Sequence, residues 1–274
     1  MNTVRVMSKN AAYQKFEVLR TNRNKRYRYG EFLVEGVRNI NQAIRNGWQF
    51  TSLLYSPETP LSRWAQEVLD TVSCDTHYQL SANLMQELSG KTDTSELLAI
   101  LRMRPDDPAL LHDSPCPLYI LFDRPSNHGN LGSIIRSADA LGADGLILTG
   151  HGVDLYQPEV ITASMGSFFN LPAIRMVDND TVFDWIARQR DLHPGFQVIG
   201  TTAHKQLNIT QVDFRLPTLL MIGNETEGLC RAFKEGCDLL ATIPMADTSS
   251  ASSFNVACAA TVMMYEVCRQ RAQE

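Results

Sequence analysis

The sequence predicts an α/β protein built from two domains, and three observations indicate this. Short apolar runs alternate with helical patterns along most of the chain. The stretch "RMRPDDPALLHDSPCPLY" carries four prolines and three aspartates, which is typical of a linker. The chain has 274 residues, enough for one large or two ordinary domains. We therefore expect one domain over 1–105, a linker over 106–117 and a second domain over 118–274.

The segment before the linker shows the alternation of a three-layer domain of strands and helices. A serine at the start of a helix and a glycine at its end mark element limits, as in "SANLMQELSG". The expected strands cover 32–35, 50–56, 76–80 and 97–103, and the expected helices cover 9–21, 37–47, 61–70 and 81–90.

After the linker the strands are short and apolar, with little alternation of polar and apolar residues. This pattern indicates a parallel sheet that is buried on both faces. The expected strands cover 118–123, 145–150, 173–177, 196–202, 218–224 and 239–245, and the expected helices cover 130–141, 157–166, 180–191, 227–235 and 252–271.

Composition narrows the class of protein. No apolar run approaches the roughly 18 residues of a membrane helix. The first residues lack the apolar segment of a secretory signal, so we expect a cytoplasmic protein. The six cysteines form no CxxC pair and the histidines show no ligand spacing. We therefore expect reduced, buried thiols and no metal site.

The chain is acidic overall but begins with a basic segment. Residues 1–45 carry ten Lys and Arg against three acids, a net charge of +7 in a chain whose total is −5. The stretch "RTNRNKRYRYG" interleaves cations with asparagine and tyrosine, which can pair with phosphates and stack on bases. A solvated helix face and loop is the alternative interpretation. The candidate RNA-binding residues are Lys9, Arg20, Arg23, Lys25, Arg26 and Arg28.

The stretch "RPSNHGNLGSIIRSADALG" forms a turn between a strand and a helix, where many α/β proteins bind a phosphate or a cofactor. It does not match the dinucleotide fingerprint, because one glycine is missing. It also contains Arg136, a cation for which that fingerprint has no place. No Gly-Lys-Ser/Thr sequence follows, so a Walker loop is excluded.

Two more polar clusters follow strands of the second domain, "MIGNETEGL" and "IPMADTSSASSFNVACAA". Ordinary turn and helix-cap chemistry explains each cluster taken singly. In open α/β sheets, however, ligands bind beyond the carboxyl ends of the strands. Three such loops together predict one shared site.

These residues resemble a known family. "DRPSNHGNLGSIIRSADALGADGLIL", "MIGNETEGL" and "IPMADTSSASSFNVACAATVMMYE" resemble the three motifs of the SpoU (TrmH-like) RNA ribose methyltransferases, which belong to the SPOUT class. "ASMGSFFNLP" is similar to the family's linking segment. "KFEVLRTNRNKRYRYGEFLVEG" is similar to the L30e-like RNA-binding domain of many members.

The resemblance implies an N-terminal L30e-like three-layer domain and a parallel-sheet domain with a deep trefoil knot. It also implies a homodimer that completes its site across the interface. S-adenosylmethionine would supply a methyl group to a ribose 2′-oxygen in structured RNA. Ribosomal RNA is the substrate that we expect, and transfer RNA is the alternative. A dinucleotide-dependent oxidoreductase and a non-catalytic RNA-binding protein are the competing interpretations.

The resemblance also implies site residues. We expect Arg136 to grip a phosphate beside the target ribose, since a guanidinium stays protonated; general base is the alternative role. Asn130 and Glu225 would orient Arg136, with Glu225 forming a charge-assisted pair. The catalytic candidates are Asn130, Arg136, Glu225, Ser253 and Asn255, and the cofactor-binding candidates are Thr201, Gly223, Asn224, Ile243, Met245 and Phe254. The third motif is longer than the family's commonest form, which leaves the register of its serines open.

Overall fold

The computed structural model describes residues 2–204 and 206–272. The chain forms two compact units, the first made of 1–104 with 154–170 and the second of 105–153 with 171–274. Residues 154–170 therefore group with the N-terminal unit, although they lie inside the expected second domain. The division into functional domains stays a prediction.

Strands and helices alternate through both units. The strands are β1 (Asn2–Val6), β2 (Glu31–Glu35), β3 (Phe50–Tyr55), β4 (Thr76–Leu80), β5 (Leu97–Arg102), β6 (Leu118–Asp123), β7 (Gly145–Thr149), β8 (Ala173–Met176), β9 (Gln197–Thr201), β10 (Leu207–Asn208), β11 (Thr218–Ile222) and β12 (Leu239–Thr242). The helices are α1 (Ala11–Thr21), α2 (Arg23–Tyr29), α3 (Val37–Arg45), α4 (Arg63–Thr71), α5 (Ala82–Leu88), α6 (His128–Ala140), α7 (Pro158–Ala163), α8 (Asn179–Leu192), α9 (Arg231–Gly236) and α10 (Val256–Arg271).

The first unit contains a five-stranded mixed sheet in the order β1-β4-β3-β5-β2. β1, β4 and β3 run parallel, whereas β5 is antiparallel to both of its neighbours. One apolar cluster joins α1 and α5 to the sheet through residues such as Phe16, Leu54 and Met85. A second cluster of aromatic rings holds residues 154–170 in this unit; it comprises Phe32, Trp48, Tyr156, Phe168 and Phe169.

The second unit contains a seven-stranded sheet in the order β10-β12-β9-β11-β6-β7-β8. All of its strand pairs are parallel. β6, β7 and β11 are buried along their whole lengths. The predicted parallel sheet is therefore confirmed. Strands that are covered on both faces carry mostly apolar residues with little alternation, and this is the pattern seen in the sequence.

Three elements were not expected from the sequence: β1, α2 and β10. Helix α2 begins because the Asn22 side chain accepts a hydrogen bond from the Lys25 amide, and it ends at Gly30, whose φ of 64° is left-handed. Two expected helices begin later than the pattern indicated. A tight turn over 224–228 delays α9, and Asn255 caps α10 only after a long serine-rich loop.

The cysteines were expected to be reduced and buried, and only the first part of that expectation is confirmed. All six cysteines are free thiols, but none is fully buried, and Cys258 and Cys268 are exposed. Within the described ranges, no three His, Cys, Asp or Glu side chains come together as they would around a metal ion. No helix in those ranges combines the length and the apolarity that crossing a membrane requires.

Candidate active site

The two central strands of the second sheet bring the first and second motif loops together. β6 and β11 pair in parallel with Phe122 opposite Ile222, so the loops that follow these two strands begin at the same edge of the sheet. α10, which follows the third motif, packs on α6, and the Ser137 and Thr261 hydroxyl oxygens lie 2.7 Å apart. All three loops therefore meet beyond the carboxyl ends of the strands, as the sequence predicted.

A cavity of about 330 Å³ lies at this edge of the sheet. Its walls include every residue predicted to bind the cofactor, namely Thr201, Gly223, Asn224, Ile243, Met245 and Phe254. Glu225 and Ser253 from the predicted catalytic set line it as well. Arg136, Asn130 and Asn255 are not among the lining residues. The second and third motifs thus line one cavity, together with the end of β9.

The second motif forms a tight turn that requires its glycines. The amides and carbonyls of Asn224 and Gly228 bond each other reciprocally, at 3.1 and 3.0 Å. Gly228 adopts a φ of 69°. A Cβ atom on Gly223 would lie 2.3 Å from the backbone of the Gly228–Leu229 peptide. Gly223 is therefore needed for the turn to close on itself, a reason that the sequence motif alone did not reveal.

The carboxylate of Glu225 organises the first motif. It accepts hydrogen bonds from the Ser126 amide at 2.9 Å, the Ser126 hydroxyl at 2.6 Å and the Asn127 amide at 3.0 Å. The Asn130 side-chain amide lies 3.3 Å from it. Burial opposes ionisation, but these hydrogen bonds outweigh it, so the pKa of Glu225 lies below its ordinary value. Glu225 is thus ionised, and its carboxylate fixes the position of the first-motif loop through these hydrogen bonds.

Asn130 links Glu225 to the third motif. The Asn255 side-chain amide donates to the Asn130 oxygen at 3.2 Å. The Asn255 oxygen accepts hydrogen bonds from the Ala257 and Cys258 amides and so caps α10. The hydrogen bonds from Asn130 to Glu225 and from Asn255 to Asn130 therefore connect one residue of each motif in a single polar network.

Arg136 lies on the exposed side of α6. In residues 2–204 and 206–272, no side chain forms an ion pair or hydrogen bond with its guanidinium. The expected pair between Glu225 and Arg136 is therefore absent from this chain. The physical reason is that Ser126, Asn127 and Asn130 already supply the donors to the Glu225 carboxylate.

Three charged residues that the sequence reasoning missed connect the same loops. Asp123, at the buried end of β6, accepts hydrogen bonds from the Thr149 hydroxyl and the Cys230 amide. The Arg124 guanidinium contacts both Asp123 and Glu227. The hydrogen bond with Asp123 is the main cause that raises the pKa of Arg124 above its ordinary value. The sequence did offer a signal for these contacts, because an acidic and a basic residue, Asp123 and Arg124, stand together at the end of an apolar strand.

The predicted RNA-binding residues lie in the first unit, and one of them is excluded by burial. Arg26 is fully buried, and its guanidinium forms an ion pair with Asp154 at 2.6 Å. It also donates to the Leu19 and Arg20 carbonyls and to Gln157. Its inclusion among the RNA-binding residues is therefore wrong for this folded chain, since spacing along the chain could not show that one face of α2 points inward.

The other candidates are accessible to different degrees. Lys9 is exposed and forms an ion pair with Glu87 at 2.6 Å. Arg20 is half-buried and caps the end of α5 by donating to its last carbonyls. The cations of α2 other than Arg26 lie at or near the surface: Arg23, Lys25 and Arg28.

Sequence comparison decides the family. The model of the SpoU rRNA Methylase family matches residues 117–265, and that of the SpoU L30e-like domain matches residues 10–99. The chain belongs to the SpoU rRNA methylase family. It is therefore a methyltransferase, and this excludes the alternative of a dinucleotide-dependent oxidoreductase.

Individual relatives match over nearly the whole chain. The chain is 45% identical to the 23S rRNA (uridine(2479)-2'-O)-methyltransferase of Streptomyces viridochromogenes, over 97% of this chain and 92% of that protein. The crystal structure of the SpoU methyltransferase AviRb from the same organism, in complex with AdoMet, matches with a TM-score of 0.90 over 96% of this chain and 98% of that one, at 45% identity. An AdoMet-bound rRNA methyltransferase from Sinorhizobium meliloti matches with a TM-score of 0.84 over 97% and 98%, at 28% identity.

Proposed function

We propose that the protein transfers a methyl group from S-adenosylmethionine to a ribose 2′-oxygen of ribosomal RNA. One observation carries this proposal: the second and third motifs line one cavity and the first motif is hydrogen-bonded to both of them, in a chain that resembles a 23S rRNA 2′-O-methyltransferase over nearly its full length. Transfer RNA is the alternative substrate. Action on ribosomal RNA implies a cytoplasmic location, which remains a prediction.

The cavity fits the cofactor in size and chemistry. Small-molecule sites span roughly 300–1,000 Å³, and the volume of about 330 Å³ lies within that range. Apolar side chains suited to a nucleoside line it, namely Ile222, Leu229, Met245, Phe254 and Met263. Thr201 and Asn224 add polar groups to the same walls. These residues, with Gly223 and Ile243, are the ones that we assign to the cofactor.

A deep trefoil knot is part of the proposal and comes from the family resemblance. Two contacts support it. α10 packs on α6 after the long third-motif loop, and Asn255 at the start of α10 bonds to Asn130 of the first motif. The end of the chain is thus drawn back against the loop that follows β6.

The bound cofactor supplies an electrophilic methyl group on a sulfonium. The chain must then align a ribose hydroxyl and ease the loss of its proton. We assign Arg136 to a phosphate beside that ribose, where its positive charge lowers the pKa of the hydroxyl. Glu225 orders Asn130, and Ser253 and Asn255 hydrogen-bond substrate or cofactor.

Arg136, whose guanidinium has no ion pair or hydrogen bond among the described residues, supports a homodimeric site. Its helix packs on α10, whose Val262 and Tyr265 side chains are 42% and 58% exposed. An exposed apolar surface beside a site residue is typical of an interface between subunits. We propose that a second copy covers this surface and completes the site around Arg136.

In the first unit, the proposed RNA contacts are those whose side chains reach the surface. They are Lys9, Arg20, Arg23, Lys25 and Arg28, and Arg26 is omitted because it is buried. We propose that residues 1–105 position the RNA and that residues 118–274 carry out methyl transfer. Phosphate contacts of this kind set position before any base is read.

The test is methyl transfer from radiolabelled S-adenosylmethionine to purified ribosomal RNA, followed by mapping of blocked 2′-hydroxyls. We expect Arg136→Ala to abolish transfer while cofactor affinity, measured by calorimetry, is retained. Arg188→Ala, which changes an exposed arginine of α8, is the matched control and should keep full activity. Near-normal turnover by Arg136→Ala would overturn the assignment of Arg136. Absence of methylation by the wild-type protein on both ribosomal and transfer RNA would overturn the function.

A further inference from the structure

Arg124 has an unusual backbone conformation. Its φ is 50°, in the left-handed region that residues with a side chain disfavour. The only other non-glycine residue in the described chain with a positive φ is Met165. Glycine would adopt this conformation without strain, so the presence of arginine here indicates that its side chain is needed.

The Arg124 side chain joins two loops and a buried carboxylate. Its Nε and Nη2 atoms lie 3.2 Å from the two oxygens of Asp123. Nη1 lies 2.5 Å from the Glu227 carboxylate, and Nη2 donates to the Gly228 carbonyl at 3.1 Å. Asp123 is only 2% exposed. The guanidinium is thus fixed by the buried Asp123 carboxylate, and it bonds to Glu227 and Gly228 of the second-motif turn.

The Arg124 backbone holds the same turn. Its carbonyl accepts a hydrogen bond from the Asn224 side-chain amide at 2.7 Å. The Asn224 oxygen in turn accepts hydrogen bonds from the Thr226 and Glu227 amides at 2.9 and 3.0 Å. Arg124 therefore contacts the turn near both of its ends, at Asn224 and at Glu227.

All five residues of this turn, 224–228, line the cavity assigned to the cofactor. Ligand binding loses less conformational entropy when the walls of the site are already ordered. We propose that Arg124 is a positioning residue that holds the turn, and with it the cofactor cavity, ready for binding. This inference rests on the proposed function, because it assumes that the cavity binds S-adenosylmethionine.

The test compares S-adenosylmethionine affinities of Arg124→Gln, Glu227→Gln and the double variant, measured by titration calorimetry. We expect each single variant to raise Kd about tenfold, the loss typical of a charge-assisted contact. The double variant should be little worse than Arg124→Gln alone, because Arg124→Gln already removes the link to Glu227 together with the contacts to Asp123 and Gly228. KM for the cofactor should rise in parallel, whereas kcat at saturating cofactor should stay within about threefold of wild type.

Two further variants separate positioning from general stability. Arg124→Gly removes the side chain and relieves the strained φ, so it should melt no lower than Arg124→Ala yet bind the cofactor equally weakly. Arg231→Gln breaks an exposed pair with Glu235 in the same unit and should leave Kd unchanged. If Arg124→Gln does not fold, Glu227→Gln decides, since that side chain is 68% exposed.

Two results lead to different conclusions. If the wild-type protein binds S-adenosylmethionine and Arg124→Gly and Glu227→Gln bind it equally well, the positioning role is refuted and the proposed function stands. If the wild-type protein does not bind S-adenosylmethionine, the proposed function itself fails.

Discussion

Replacing the buried Arg26 with alanine should destabilise the first unit far more than it disturbs RNA binding. Arg26 donates through Nε to Asp154 at 2.7 Å and to two backbone carbonyls at 2.9 and 3.0 Å. Its removal leaves the Asp154 carboxylate buried without a counter-charge. Breaking a buried ion pair in this way costs about 3–5 kcal/mol. Asp154 keeps hydrogen bonds from the Tyr27 hydroxyl and the Tyr156 amide, which favours the lower end of this range.

The assay is urea unfolding followed by tryptophan fluorescence, because two of the three tryptophans, Trp48 and Trp64, lie in the first unit. With a slope of about 2 kcal/mol per molar, the loss corresponds to a midpoint lowered by about 1.5–2.5 M. Arg28→Ala, on the exposed face of the same helix, is the matched control and should change stability by less than about 0.5 kcal/mol.

RNA affinity provides the converse measurement. Arg28→Ala should weaken RNA binding, because its side chain is free to reach a phosphate, whereas Arg26→Ala should not when measured below its unfolding range. An Arg26→Ala protein as stable as wild type, with RNA affinity lost, would show that the guanidinium faces RNA and that the reasoning from burial is mistaken.

Three other predictions follow from the same structure. Replacing the remaining cations of α2 together (Arg23, Lys25 and Arg28) should weaken RNA binding and flatten its dependence on salt, measured by filter binding across a salt series; an unchanged slope would mean that the helix face is merely solvated. Gly223→Ala should abolish cofactor binding in calorimetry, because the new Cβ meets backbone at 2.3 Å; normal affinity would show that the turn opens freely. Glu225 has a depressed pKa, so its stabilising contribution is complete above its ordinary pKa of about 4.5 and is lost as pH falls through the lower folded value. The stability difference between wild type and Glu225→Gln should therefore shrink at acid pH in thermal melts, and a constant difference would contradict the assigned hydrogen bonds.

The predictable part of the site lay in local sequence patterns. Gly223, Asn224 and Glu225 follow an apolar strand, and strands of a parallel sheet deliver their following loops to one edge. The meeting of the three motifs could therefore be expected before any coordinates. The partners of Glu225 could not, because Arg136 and Ser126 can both donate hydrogen bonds to its carboxylate until the path of the loop is known.

The family resemblance supplied the residues that we expect around the cavity. The sequence patterns by themselves predicted most of the strands and helices and the parallel character of the second sheet. Each of these depends on short-range apolar patterns and on glycine, asparagine and serine at turns, which act over a few residues. Tertiary structure alone decided that Arg26 pairs with Asp154, that Arg124 bridges to Glu227 and that residues 154–170 belong to the first unit. The partners in both pairs are more than a hundred positions apart in the chain, and only the packing of the folded chain brings such charges into contact.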